Sequence, residues 1–86
     1  MVKISAKLVK NNKAVKRAVY NSVNEYDSNE FYTYVCTLAQ KLDVSTPIII
    51  AYHRECFENF NSLKLTKDDF VDEFNYDYMF LENDDR

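Results

Sequence analysis

Apolar and polar residues alternate from Val2 to Lys10, with Val2, Ile4, Ala6 and Leu8 on one side and Lys3, Ser5, Lys7 and Val9 on the other. A period of two marks a half-buried strand. Asn11-Asn12 supplies a turn, and Lys13 to Tyr20 reads as the returning strand of a hairpin. A turn centred on the two asparagines sets Leu8 against Val15, Ile4 against Val19, Lys7 against Lys16 and Arg17 against Ala6.

The period changes between Ser28 and Leu42. Phe31, Tyr34, Val35, Leu38 and Leu42 fall within about 60° of one line on a 3.6-residue helix, which is a core-facing stripe. Asp27 can accept from the free N–H groups of the first turn while Glu30 reaches back. Tyr32, Cys36 and Ala39 form an apolar flank beside the stripe, leaving Thr33, Thr37, Gln40 and Lys41 outward. An arc this wide predicts contact on two sides, one being the sheet and the other either the segment after Pro47 or a second subunit.

Asp43 to Pro47 ends the helix, because the residue before proline is pushed out of the helical region. Ile48 to Tyr52 is compatible with a short buried strand, an extended segment or a buried helical turn. His53 to Phe60 carries Phe57 and Phe60 at helical spacing and predicts one or two turns. Leu63 and Leu65 alternate briefly. Thr66-Lys67-Asp68-Asp69 is a capping box with Asp at its fourth position, and it opens a short helix to about Glu73. Tyr76 to Leu81 is the last strand, with Tyr76, Tyr78 and Phe80 on one face, and Glu82 to Arg86 is a fraying tail.

These elements predict one α+β domain spanning residues 1–86. It is an antiparallel sheet of three or four strands, built on the N-terminal hairpin and the C-terminal strand, with the main helix packed across one face and short helical turns elsewhere. The expected core is Ile4, Leu8, Val19, Phe31, Val35, Leu38, Leu42, Ile49, Phe57, Phe70 and Tyr78.

Composition adds limits. A chain of 86 residues buries only about 60% of its unfolded surface, so its seven Tyr and six Phe must supply much of the buried area. There is no glycine, which excludes the P-loop, the dinucleotide fingerprint and the Gly-x-Ser-x-Gly elbow. Asparagine, as at Asn11, Asn12, Asn61 and Asn75, is the next-best residue for left-handed turns. Cys36 and Cys56 make no disulfide framework and read as reduced, buried thiols. The run from Pro47 to Tyr52 is far short of the ~20 residues that cross a bilayer, and the N-terminus lacks a signal-peptide core. The expectation is a soluble, cytoplasmic protein with no membrane partner.

The C-terminal half, with Pro47, His53, Phe57, Phe60, Asp68-Asp69-Phe70 and Asn75-Tyr76-Asp77-Tyr78, resembles small Firmicutes proteins of uncharacterised function. The opening Lys3-Ile4-Ser5-Ala6-Lys7-Leu8 and Asn11-Asn12-Lys13 is similar to their N-terminus. The resemblance rests mainly on core and turn positions; it implies a shared compact fold and carries over no activity, cofactor or site.

Charge is segregated. Lys3, Lys7, Lys10, Lys13, Lys16 and Arg17 are the charged residues before Glu25, whereas all 14 acids follow Asn24, within a net charge of −3. Such asymmetry points to nucleic acid or another polyanion, with Lys3, Lys7 and Lys16 as candidate contacts. The alternative is internal neutralisation: if the last strand pairs with the first, Asp77 and Glu82 lie near the lysine face. Tyr20 is the one aromatic interleaved with these bases.

Two further clusters carry weaker chemistry. His53 and Cys56 share a helical face, as a thiolate–imidazole pair or two metal ligands would, but either use needs a further group. A buried cysteine beside a capping histidine is the simpler reading. Asp68, Asp69, Asp72, Glu73 and Asp77 match no calcium loop and read as helix capping plus a solvated face. No catalytic residue, metal or cofactor is assigned, and the chain is read as a non-enzyme. The leading expectation is a protein-interaction module, with homodimerisation one form of it, using Tyr32, Cys36 and Tyr52; nucleic-acid or other polyanion binding by the hairpin is the alternative.

Overall fold

Two asparagines take the left-handed conformation that glycine usually supplies. Asn11 has φ 54° and Asn12 φ 65°, so a two-residue turn whose twist matches its strands joins β1 (Val2–Lys10) to β2 (Lys13–Ser22). The computed structural model describes residues 1–85. Beyond the hairpin come a 3-10 turn (Ser28–Glu30) running into helix α1 (Phe31–Lys41), helix α2 (Ala51–Phe60), β3 (Ser62–Thr66), a second 3-10 turn (Lys67–Asp69) and β4 (Tyr78–Asn83).

The four strands form one antiparallel sheet in the order β2-β1-β4-β3. β4 therefore inserts between the hairpin and β3, and the C-terminal strand pairs with the first as the sequence suggested. Inward residues Ile4, Leu8, Leu63, Leu65, Met79 and Leu81 join Phe31, Tyr34, Val35, Leu38, Leu42 and Phe57 in one buried cluster. Both helices thus cover the same face of the sheet, and the fold is α+β.

The α1 stripe is buried as its spacing requires. Asp27 caps the 3-10 turn that leads into α1, accepting from the Asn29 N–H at 2.9 Å, while its own N–H donates to the Tyr34 hydroxyl at 3.1 Å and not to Glu30 as expected. Its end is set by Asp43, at φ 60°: Asp43 N–H donates to the Gln40 carbonyl and Val44 N–H to the Ala39 carbonyl, the paired bonds of a Schellman stop. The stop precedes Pro47 and owes nothing to it. Asn61, at φ 58°, ends α2 in the same left-handed way.

Several expectations need correction. The hairpin register is displaced by a bulge between Leu8 and Val9, so Leu8 faces Lys16, Ile4 faces Tyr20, Ala6 faces Ala18 and Lys7 faces Arg17. Val15 is the extra residue of the bulged strand, and every β2 side chain beyond it is turned to the other face from the one expected. Val19 is consequently exposed and not core, and Arg17 is outward. Tyr78 is half-buried on the sheet face opposite the helices, because the inward positions of β4 are Met79 and Leu81. Ile49 is half-buried against the core. Residues 48–50 form no strand; they lead into α2, which starts at Ala51. The helix expected from Thr66 to Glu73 is a single 3-10 turn, held by Asp69 accepting from the Thr66 N–H.

Candidate functional site

The face of the sheet turned away from the helices is built by alternate residues: Lys3, Ser5 and Lys7 of β1, Arg17, Val19 and Asn21 of β2, Tyr78, Phe80 and Glu82 of β4, and Ser62, Lys64 and Thr66 of β3. An antiparallel sheet with one solvated face ordinarily makes that face polar. Here Tyr78 and Phe80 stand on an interior strand of it, both half-buried, with bases on either side.

Lys7 and Lys64 both pair across from Phe80. The Lys7 ammonium lies 5.4 Å from the Phe80 ring centre, and the Lys64 ammonium 4.3 Å from that of Tyr78. Arg17, directly opposite Lys7, adds a like charge that would repel Lys7; Lys7 leans toward the aromatic ring instead. Among the described residues no ion pair within 4.0 Å engages Lys7, Arg17 or Lys64.

Phe80 is the ridge between two hollows. One, of about 140 Å³, is lined by Ser5, Lys7, Arg17, Val19, Phe80 and Glu82. The other, of about 430 Å³, lies toward α2 and is lined in part by Tyr52, Cys56, Phe60, Lys64 and Phe80. Tyr52, Cys56 and Phe60 recur at one-turn spacing, which puts them on one side of α2.

Of the lysines read from sequence, Lys3 and Lys7 are on this face and Lys16 is not. The Lys16 ammonium points to the helix side and donates to the Leu42 carbonyl at 3.4 Å, where a cation complements the negative end of α1. The neutralisation expected from Asp77 and Glu82 is divided. The Asp77 carboxylate accepts from the Asn11 N–H at 2.9 Å and serves the turn. Glu82, opposite Ser5, sits between Lys3 and Lys7, with Asp84 beyond the strand end. Acid is therefore concentrated at the Lys3 end, away from Tyr78.

Lys64, Arg17, Tyr78 and Phe80 are the members that sequence reasoning missed. The alternation of β4 was legible, but its placement between β1 and β3 is a long-range pairing that no local pattern carries.

Tyr32, Cys36 and Tyr52 are not gathered into one groove. Tyr32 and Cys36 are one turn apart on α1, where contact with the thiol raises the Tyr32 phenol above its usual pKa. Tyr32 lines a hollow of about 280 Å³ with Ile49, Ile50, Ala51 and Arg54. Ile49 and Ile50, from the segment after Pro47, stand beside Tyr32 around this hollow and leave it largely exposed. Tyr52 lines the groove beside β3, its phenol raised likewise by Cys56.

His53 is occupied by the fold. Its Nδ1 accepts from the Ile50 N–H at 3.0 Å, which fixes Nε2 as the donor to Asp69 Oδ1 at 3.2 Å. Its one lone pair, on Nδ1, is occupied by the Ile50 N–H and is not turned to Cys56. Among the described residues no three His, Cys, Asp or Glu side chains are placed to hold a metal ion, and no helix is long and apolar enough to cross a membrane.

No protein-family model, curated protein or solved structure matches this chain.

Proposed function

We propose that this protein is a non-enzymatic binding module whose open sheet face holds a polyanion. The observation that carries the reading is the cluster of Lys7, Arg17 and Lys64 around two exposed-side aromatic rings. Among the described residues the face from Lys3 to Lys64 holds four bases against Glu82 and Asp84, in a chain whose net charge is −3. A basic face on an acidic protein concentrates anions locally, where bulk charge would repel them.

Heparin-column chromatography at low salt tests this. Net charge gives no reason for retention, and earlier elution of a variant changed only on the face assigns the retention to it. Wild-type protein is expected to bind and elute with salt, and Lys7→Gln with Lys64→Gln to elute markedly earlier. Passage of the folded wild-type protein straight through the column would reject the proposal.

A second reading, self-association, is supported by Tyr32 and Ile50, which are 55% and 56% exposed around one hollow. It predicts a concentration-dependent mass in sedimentation equilibrium that Ile50→Glu abolishes. A constant monomer mass would remove it.

A further inference from the structure

We infer that the polyanion is an unpaired nucleic-acid strand, with neighbouring bases stacked on Tyr78 and Phe80. This rests on the polyanion reading and goes beyond it, because phosphates alone would be served by lysines on a polar sheet. The face has more than that. β4 spends two outward positions on aromatic side chains while Met79 and Leu81 already fill its inward ones.

Residues two apart on a strand are separated by about 6.8 Å, twice the roughly 3.4 Å rise per nucleotide of a stacked strand. A strand drawn out to that spacing sets one base on each ring. Duplex bases are already stacked on one another and cannot reach a flat sheet, so the platform selects single strands. Lys7 and Lys64 now rest near the rings. As a base arrives, each ammonium need only swing from ring to phosphate, keeping an electrostatic partner throughout.

The hollows on both sides of Phe80 fit this path. Arg17 lines the one toward β2 and Lys64 the one toward α2, so backbone charge can be met on either side of the stacked bases. Tyr52 and Phe60, 65% and 72% exposed, continue the aromatic surface along the α2 side. Charge complementarity and ring spacing together favour this occupant over an acidic polypeptide, which offers carboxylates and no π-faces.

The test uses fluorescein-labelled twelve-residue probes and fluorescence anisotropy: oligothymidylate, an abasic strand with the same phosphates, a duplex, and poly-glutamate. Oligothymidylate is expected to bind at least tenfold more tightly than each of the others. Tyr78→Leu with Phe80→Leu is expected to cost roughly 5- to 150-fold per ring on oligothymidylate and to leave the abasic strand unchanged.

Phe80→Trp provides a reading that does not depend on removing a ring. The chain has no tryptophan, so the introduced indole is a sole reporter; its emission is expected to be quenched by unlabelled oligothymidylate and not by the abasic strand. Equal binding of base-bearing and abasic strands with an unquenched indole overturns this inference while the polyanion reading stands. Tighter binding of duplex or of poly-glutamate overturns it in favour of that class. Binding of none of the probes, with heparin also unretained, overturns both.

Discussion

Replacing His53 tests the joint that fixes α2 to the sheet. The ring is buried, accepts from the Ile50 N–H at 3.0 Å and donates to Asp69 at 3.2 Å. Asp69 in turn accepts from the Thr66 N–H at 2.9 Å through its side chain and from the Ile48 N–H at 2.7 Å through its carbonyl. One imidazole therefore ties the start of α2 to the end of β3. In His53→Ala, a hydrogen bond to a charged group is lost, worth about 1.5–3 kcal/mol. The helix-start bond goes with it, worth about 0.5–2 kcal/mol. Because the two share a side chain they do not simply add, and a total near 2–4 kcal/mol is expected.

For a domain stable by about 5–15 kcal/mol, that is a large fraction, and at ~4–8 °C per kcal/mol it lowers Tm by roughly 8–32 °C. Urea unfolding followed by far-ultraviolet circular dichroism measures it. His53→Gln places an amide oxygen three residues after Ile50, as in a capping box, and should recover about 1 kcal/mol of the loss. A His53→Ala variant within about 0.5 kcal/mol of wild type, the scatter of neutral surface changes, would refute the reasoning.

Other predictions follow from the same contacts. Asn12→Ala forces a Cβ-bearing residue without a local hydrogen-bonding group into φ 65° and should cost about 1–2 kcal/mol; Asn12→Gly should match or exceed wild-type stability in the same urea assay. Burial, and then the Glu58 carboxylate that accepts from the Tyr26 hydroxyl at 2.9 Å, raise the Tyr26 phenol well above its usual value of 10.0. Its contribution to stability is therefore full below pH 10 and is lost as pH climbs from there through the folded-state value. Absorbance at the phenolate band should show a late-titrating fraction that Tyr26→Phe reduces by one phenol, with alkaline unfolding of the variant beginning at higher pH; an unchanged titration would refute this.

The fold was largely legible because its main signals are local. The α1 stripe, the period-two pattern of β1 and β4, and Asn11-Asn12 each encode their own conformation. The register of β2 was not, because Val15 reads as one more apolar strand position and only the folded sheet shows it as the bulge residue. That slip alone moves Val19 out of the core and Arg17 onto the open face. Ile48 to Tyr52 misled for a related reason: β-branched residues favour strands, yet His53 and Asp69 anchor a helix start there. The candidate site was legible only in Lys3 and Lys7. Its aromatic centre depends on β4 lying between β1 and β3, a pairing that brings Lys7, Lys64, Tyr78 and Phe80 together from three separate stretches of chain.

The central claim is that the open face, and not the charge of the hairpin as a whole, holds the anion. Its most direct test is the salt dependence of oligothymidylate affinity for wild type, Lys7→Gln with Lys64→Gln, and Lys16→Gln. Each phosphate contact contributes about 0.7 to the slope of log affinity against log salt for a single strand. The account predicts a slope shallower by about 1.4 for the Lys7 and Lys64 variant, and an unchanged slope for Lys16→Gln, whose lysine serves the end of α1. Equal loss of slope in both variants would contradict it.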